Sequence, residues 1–226
     1  MDDTTVVITG GSSGIGAACV RAFAREGATV VACARETEAI EAMADELDGI
    51  EPVRADVRDE YDVERLMETA ARVGGSIDVV LANAGINHGT PGEMKLDEEP
   101  YSRFDDTLRT NVRGVFTTIK EATPHLAADA RVLVPSGSIA REAKPGMGAY
   151  AISKAGAEAL VRGFSTDLDQ AVGIVDPGLV ATEVTGGQGR DAADVAPMFM
   201  WAATECPDED LDGEIVDLRA WKKATR

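Results

Sequence analysis

Short apolar runs alternate with longer stretches at helical spacing along the whole of this 226-residue chain. The run TTVVIT (4–9) is apolar at successive positions, which predicts a strand buried on both faces. A Gly-rich turn and a helix over residues 17–25 follow it. ATVVACA (28–34) predicts a second strand with a helix over 36–47, and residues 52–55 a third with a helix over 60–73. IDVVLAN (77–83) is the fourth strand, followed by a long helix spanning 101–125. ARVLVPS (130–136) is the fifth, with a helix over 150–168. AVGIVDP (171–177), a helix over 195–204 and GEIVDL (213–218) complete seven strands. Strands apolar on both faces, separated by helices, predict one mostly parallel sheet with helices covering each side. Right-handed crossovers then make the fold a doubly wound α/β one.

No repeat, linker or shift in composition divides the chain, so residues 1–226 read as a single domain of the Rossmann type. Acidic residues number 40 against 22 basic ones, a formal net charge of −18. Such a field repels phosphate backbones and anionic lipid, so neither nucleic acid nor a membrane surface is an expected partner. No apolar run approaches the roughly 20 residues of a membrane span. MDDTT at the start lacks the basic and apolar parts of a secretory signal, which points to the cytoplasm. Frequent Asp, and Arg in excess of Lys, give a surface that repels itself in dilute buffer and is screened in concentrated salt. That is the composition expected in a halophilic organism, with an ordinary acidic protein as the alternative. Cys19, Cys33 and Cys206 have no metal-ligand spacing and read as buried reduced thiols, and two histidines do not make a metal site.

The chemistry begins after the first strand, at Thr9-Gly10-Gly11-Ser12-Ser13-Gly14-Ile15-Gly16. A glycine turn between strand and helix lets backbone N–H groups approach a pyrophosphate, and the helix N-terminus favours its charge. With this context the chain resembles the short-chain dehydrogenase/reductase family, whose motif is Thr-Gly-x-x-x-Gly-x-Gly. Further family signposts follow in order: Asp56-Val57 after the third strand, Asn83-Ala84-Gly85 after the fourth and Asn111 in the long helix. Tyr150-x-x-x-Lys154 and Pro177-Gly178 with Thr182 complete the set. The resemblance implies a nicotinamide dinucleotide held by Gly10, Ser12, Ser13, Gly14, Ile15 and Gly16, with Asp56 and Val57 at the adenine. Asn83, Ala84, Gly85, Tyr150, Lys154, Pro177, Gly178 and Thr182 would line the remainder. An acidic residue at the end of the second strand would favour NAD(H). Ala34 stands there instead, followed by Arg35, whose guanidinium suits a 2′-phosphate. NADP(H) is therefore the expected cofactor and NAD(H) the lesser one.

Tyr150 and Lys154 lie four apart on a predicted helix and so share one face. A nearby ammonium is expected to lower the phenol's pKa from about 10 toward useful acid–base chemistry. By resemblance, Tyr150 moves the proton to or from a carbonyl oxygen. Lys154 tunes it and holds the nicotinamide ribose, and Asn111 helps to place Lys154 through water. The family's serine stands thirteen before the tyrosine, which here falls on Gly137 between Ser136 and Ser138. A shortened loop over 141–148 puts Ser138 in that place, with Ser136 as the alternative. The stretch Thr185-Gly-Gly-Gln-Gly-Arg190 is short where many relatives carry a helical lid. The expected function is carbonyl reduction or alcohol oxidation on a small molecule. The alternative is a non-catalytic NADP(H)-binding sensor or scaffold. Relatives are usually dimers or tetramers, so a homo-oligomer is expected, with Trp201 and Trp221 at such a contact or over the pocket.

Overall fold

A computed structural model describes residues 1–226. Seven strands form one sheet: β1 (Thr5–Thr9), β2 (Thr29–Ala34), β3 (Ile50–Arg54), β4 (Ile77–Leu81), β5 (Leu126–Pro135), β6 (Ala171–Asp176) and β7 (Ile215–Asp217). Their order is β3-β2-β1-β4-β5-β6-β7 and every neighbouring pair is parallel, so the expected antiparallel allowance is unnecessary. The helices are α1 (Gly14–Arg25), α2 (Glu38–Glu46), α3 (Glu60–Gly74), α4 (Tyr101–Leu108), α5 (Gly114–Ala122) and α6 (Gly148–Asp167). α7 (Ala192–Thr204), α8 (Asp208–Leu211) and α9 (Leu218–Ala224) end the chain.

The period of two in the strands decides which layer each side chain serves. Val6, Ile8, Val30 and Ala32 face one side, where Val20 and Phe23 of α1, Ile40 and Met43 of α2, and Phe199 of α7 cover them. Val7, Val31 and Cys33, one residue out of step, face the other side and meet Leu66 and Met67 of α3, Ile119 of α5 and Val161 of α6. Each such side chain fully removed from water contributes about 1.5–3 kcal/mol, so a one-residue register slip would exchange two complete cores.

Three differences from the sequence reading have physical causes. The long helix expected over 101–125 is broken by a π-helical turn at Arg109–Arg113, centred on Asn111. α8 and α9 were not foreseen: they are short, and α9 starts because the Asp217 carboxylate accepts from the N–H groups of Arg219 and Ala220. Trp201 belongs to the core against α1, and Trp221 packs half-buried on the same cluster, so neither lies over the cleft. No helix is long and apolar enough to cross a membrane.

Candidate active site

The strand order reverses between β1 and β4, and the chain leaves both of them at the same edge of the sheet. In open parallel sheets the crevice at such a reversal is where ligands bind. Its floor is bare main chain. Gly10 has φ +68°, and a Cβ there would come within 2.8 Å of Ala84 Cα, so only glycine lets the turn after β1 pass beneath the β4 turn. Thr9 Oγ1 accepts from the N–H of both Asn83 and Ala84, and Asn83 Nδ2 donates to the carbonyls of Thr9 and Gly10. The two turns are therefore one unit.

α1 opens from this floor. Its N-cap, Ser13, makes no side-chain cap bond, so the first N–H groups of the helix have no capping acceptor; Gly14 and Ile15 stand at the cleft, whereas Gly16 does not line it and is buried against the Gly10 carbonyl. An uncapped helix start with left-handed Gly14 (φ +53°) beside it suits a pyrophosphate in charge and in space. At the far end of the cleft, Arg35 is exposed just beyond β2. Arg54, whose Nε donates to the Arg35 carbonyl at 3.1 Å, shares a neighbouring hollow with it. Sequence reasoning missed Arg54, because only the β2–β3 register sets it opposite Ala34. Asp56 and Val57 line the cleft as expected, but Arg58 grips the Asp56 carboxylate through three bonds of 2.6–3.0 Å. That guanidinium holds the Asp56 carboxyl below its usual range. Arg58 also reaches Asp106, which meets His88 Nε2 at 2.7 Å, so the Asp56 end of the cleft is tied to the loop after β4.

The other half of the cleft is formed by α6 and the ends of β5 and β6. Tyr150 and Lys154 share one face of α6, with Lys154 Nζ 5.7 Å from the ring centroid of Tyr150. Lys154 Nζ donates to the Pro135 carbonyl at 3.0 Å. Burial pushes the Tyr150 phenol up to about 12, contrary to the lowering expected from the sequence. The reason is visible: the ammonium is committed to a carbonyl rather than the phenol. Burial also lowers Lys154 itself to about 8, opposed by the Glu158 carboxylate. Asn111 is pinned on both sides of its amide: Nδ2 donates to the Ile86 carbonyl and to Ser153 Oγ, and Oδ1 accepts from the Ile86 N–H. Ser153, also unforeseen, donates in turn to the Tyr150 carbonyl at 2.7 Å.

The two candidate serines differ in environment. Ser136 lines the cleft, but its Oγ donates to the buried Glu158 carboxylate at 2.7 Å. Ser138 starts a 3-10 turn (Ser138–Ala140) outside that lining; its Oγ donates to Glu142 at 3.2 Å and accepts from Lys144 at 3.1 Å. Pro177, Gly178 and Thr182 close the remaining wall. The Gly-rich stretch beyond them holds only the 3-10 turn Glu183–Thr185 before α7, and Asn87 Nδ2 donates to the Val184 carbonyl across the cleft. The three cysteines are buried free thiols; loss of hydration raises Cys33 to about 12 and Cys206 to about 11, and raises Cys19 as well.

The model of the family described as short chain dehydrogenase matches residues 4–193. The chain is 31% identical over 209 residues to (+)-cis,cis-nepetalactol synthase of Nepeta racemosa, covering 88% of this chain and 77% of that one. It is 32% identical over 203 residues to the mitochondrial (-)-isopiperitenol/(-)-carveol dehydrogenase of Mentha piperita, covering 85% and 76%. Among solved structures, the alcohol dehydrogenase of the archaeon Thermococcus sibiricus, complexed with 5-hydroxy-NADP, superposes with a TM-score of 0.84 at 28% identity, covering 95% of each chain.

Proposed function

The chain belongs to the short-chain dehydrogenase family, and from that premise we propose that it is an NADP(H)-dependent oxidoreductase interconverting a small carbonyl compound and its alcohol. The observation that carries the reading is the pairing of Tyr150 and Lys154 on one face of α6, at the wall of a cleft whose floor is an uncapped helix start. When bound, the nicotinamide supplies the hydride to the carbonyl carbon or takes it from the alcohol.

The chain's own residues do the rest. Gly14 and Ile15 offer N–H groups to the pyrophosphate, while Gly16 lets the helix start close against the Gly10 turn, and Arg35 offers its fork to the 2′-phosphate. With a phenol at about 12, Tyr150 Oη holds its proton at neutral pH and is ready to pass it to a substrate oxygen gaining charge. Lys154 adds positive charge beside that phenol and anchors the end of β5. Orienting a carbonyl oxygen calls for a hydroxyl that can donate. Ser136 spends its proton on buried Glu158, whereas the partners of Ser138 are exposed side chains able to swing away, which supports Ser138. Asn111 holds the loop after β4 and, through Ser153, the first turn of the catalytic helix. The whole chain acts as one domain. Exposed Phe116 on α5 and Ile152 on α6 support pairing into a homodimer or homotetramer.

The test is consumption of NADPH and of NADH, followed by the nicotinamide absorbance, against aldehydes, ketones and 3-oxoacyl thioesters in molar KCl. Turnover faster with NADPH is expected. Tight cofactor binding with no turnover on any of these carbonyls would instead favour a sensor or scaffold.

A further inference from the structure

Three charged side chains beneath the catalytic helix have no part in the reaction just outlined. Arg141, on the loop three residues beyond Ser138, donates from Nη1 to Glu158 Oε1 at 3.1 Å and from Nη2 to Asp176 Oδ2. The two carboxylate side chains are only 3% and 10% exposed. Carboxylates so far from water persist only when paired and hydrogen-bonded, and here both are. Glu158 accepts additionally from Ser136 Oγ at 2.7 Å. The second oxygen of Asp176 accepts from the Gly178 N–H at 3.0 Å, which shapes the Pro177–Gly178 turn at the cleft.

One guanidinium thus joins four pieces of the site: the end of β5, the Ser138 loop, α6 and the end of β6. Nothing about helix packing asks for it. Position 158 lies on the buried face of α6 with Ala157 and Val161, where an apolar side chain would pack without needing a partner. Glu158 also sits one turn after Lys154 and favours its charged form. Lys154 and Arg141 on one side, Glu158 and Asp176 on the other, make a set of balanced charge.

We propose that Arg141 is a positioning residue of this active site: through Glu158 and Asp176 it clamps the Ser138 loop and the Pro177–Gly178 turn to the Tyr150–Lys154 helix, fixing the serine hydroxyl and the charge around Lys154. The role given to the serine rests on the oxidoreductase reading; the charge set around Lys154 does not. Of the charged and titratable groups nearby, Tyr150 and Glu158 of α6 face Lys154; Arg141 of the loop acts on it through Glu158, and Asp176 of β6 is held by the same guanidinium. Glu142 and Lys144 lie further out on that loop, bonded to Ser138. Glu99 meets the start of α6 at the Ala149 N–H. The π-helical turn packed on α6 brings neutral Asn111, together with Arg109 and Arg113, the latter paired with Glu60.

The test follows Lys154 directly, by NMR of the full chain carrying 13C-labelled lysine, with its resonance assigned by its loss in Lys154→Arg. Arg141→Met leaves excess negative charge, so Lys154 is expected to hold its proton to higher pH, by on the order of one pH unit. Glu158→Gln removes negative charge, and the titration is expected to move down by a similar amount. Arg141→Lys keeps the charge and is expected to keep the wild-type titration while still loosening the loop. On a carbonyl that the wild type reduces, Arg141→Met is expected to lower kcat about ten- to hundredfold, and Arg141→Lys to recover part of it. An unmoved Lys154 titration, or one that moves the same way in Arg141→Met and Glu158→Gln, overturns the proposal. Should Arg141→Met not fold, Glu158→Gln decides it, since it must lower the titration. If the wild type reduces no carbonyl, the oxidoreductase reading fails, while the lysine titration still decides the clamp.

Discussion

At the two residues at the centre of the site, burial disfavours the charged form of each side chain. Loss of hydration raises Tyr150 to about 12 and lowers Lys154 to about 8, so burial acts against both the phenolate and the ammonium. For Lys154 the folded value lies below the unfolded one of about 10.4. Stability linked to this group is therefore present above that unfolded value and is lost as pH falls toward about 8. Lys154→Met relieves the cost of a buried ammonium and is expected to stabilise the fold at pH 7 by about 1–3 kcal/mol, although activity is lost. Denaturant unfolding of both proteins checks this: the gap should narrow as pH rises from about 8 to about 10.4, and a gap independent of pH would contradict it. Arg35 supports a second expectation at this scale. NADP⁺ should raise Tm more than NAD⁺ at equal concentration, and Arg35→Ala should weaken NADP⁺ binding about tenfold or more, the worth of a charge-assisted hydrogen bond. Equal responses to both cofactors in the wild type would remove the 2′-phosphate assignment.

At the scale of elements, the strands and the order of helices were legible because consecutive apolar runs bounded by turn residues mark buried parallel strands, as in TTVVIT and IDVVLAN. The glycine turn and the Tyr150–Lys154 pair were legible because their chemistry depends on spacing along the chain. What was hidden depends on neighbours distant in sequence. The π-helical turn exists where the Asn111 amide bonds Ile86 and Ser153, 25 and 42 residues away, and no local pattern announces it. Arg54, Arg58 and Arg141 carry no local signal, because only the strand register and the loops bring their carbonyl or carboxylate partners to them. The rise of the Tyr150 pKa was misjudged for the same reason, since spacing places Lys154 near the ring but does not say that its Nζ turns to Pro135. Asn111→Ala strips partners from the Ile86 N–H and carbonyl and from Ser153. It is expected to cost about 2–4 kcal/mol in denaturant unfolding and to lower kcat, by letting the catalytic helix and the β4 loop move apart. A loss below about 0.5 kcal/mol would mean that the π-helical turn is held by packing alone.

The molecule as a whole carries a net charge of −18. At 0.01 M salt the Debye length is about 30 Å, enough for carboxylates across the molecule to repel one another, and at 1 M it shrinks to about 3 Å. If this acidity is an adaptation to concentrated salt, the protein is expected to lose helical circular dichroism in dilute buffer and to regain it in molar KCl. Unchanged spectra across that range would assign the charge to solubility alone. The assays above are for that reason set in concentrated salt. The central claim is that the proton passing between substrate and protein sits on Tyr150. It is tested most directly by comparing wild type and Tyr150→Phe on one carbonyl that the wild type reduces with NADPH, with cofactor affinity measured in parallel. The account predicts that turnover falls by at least about a hundredfold while NADPH affinity stays within a few-fold. Undiminished turnover in Tyr150→Phe would contradict it.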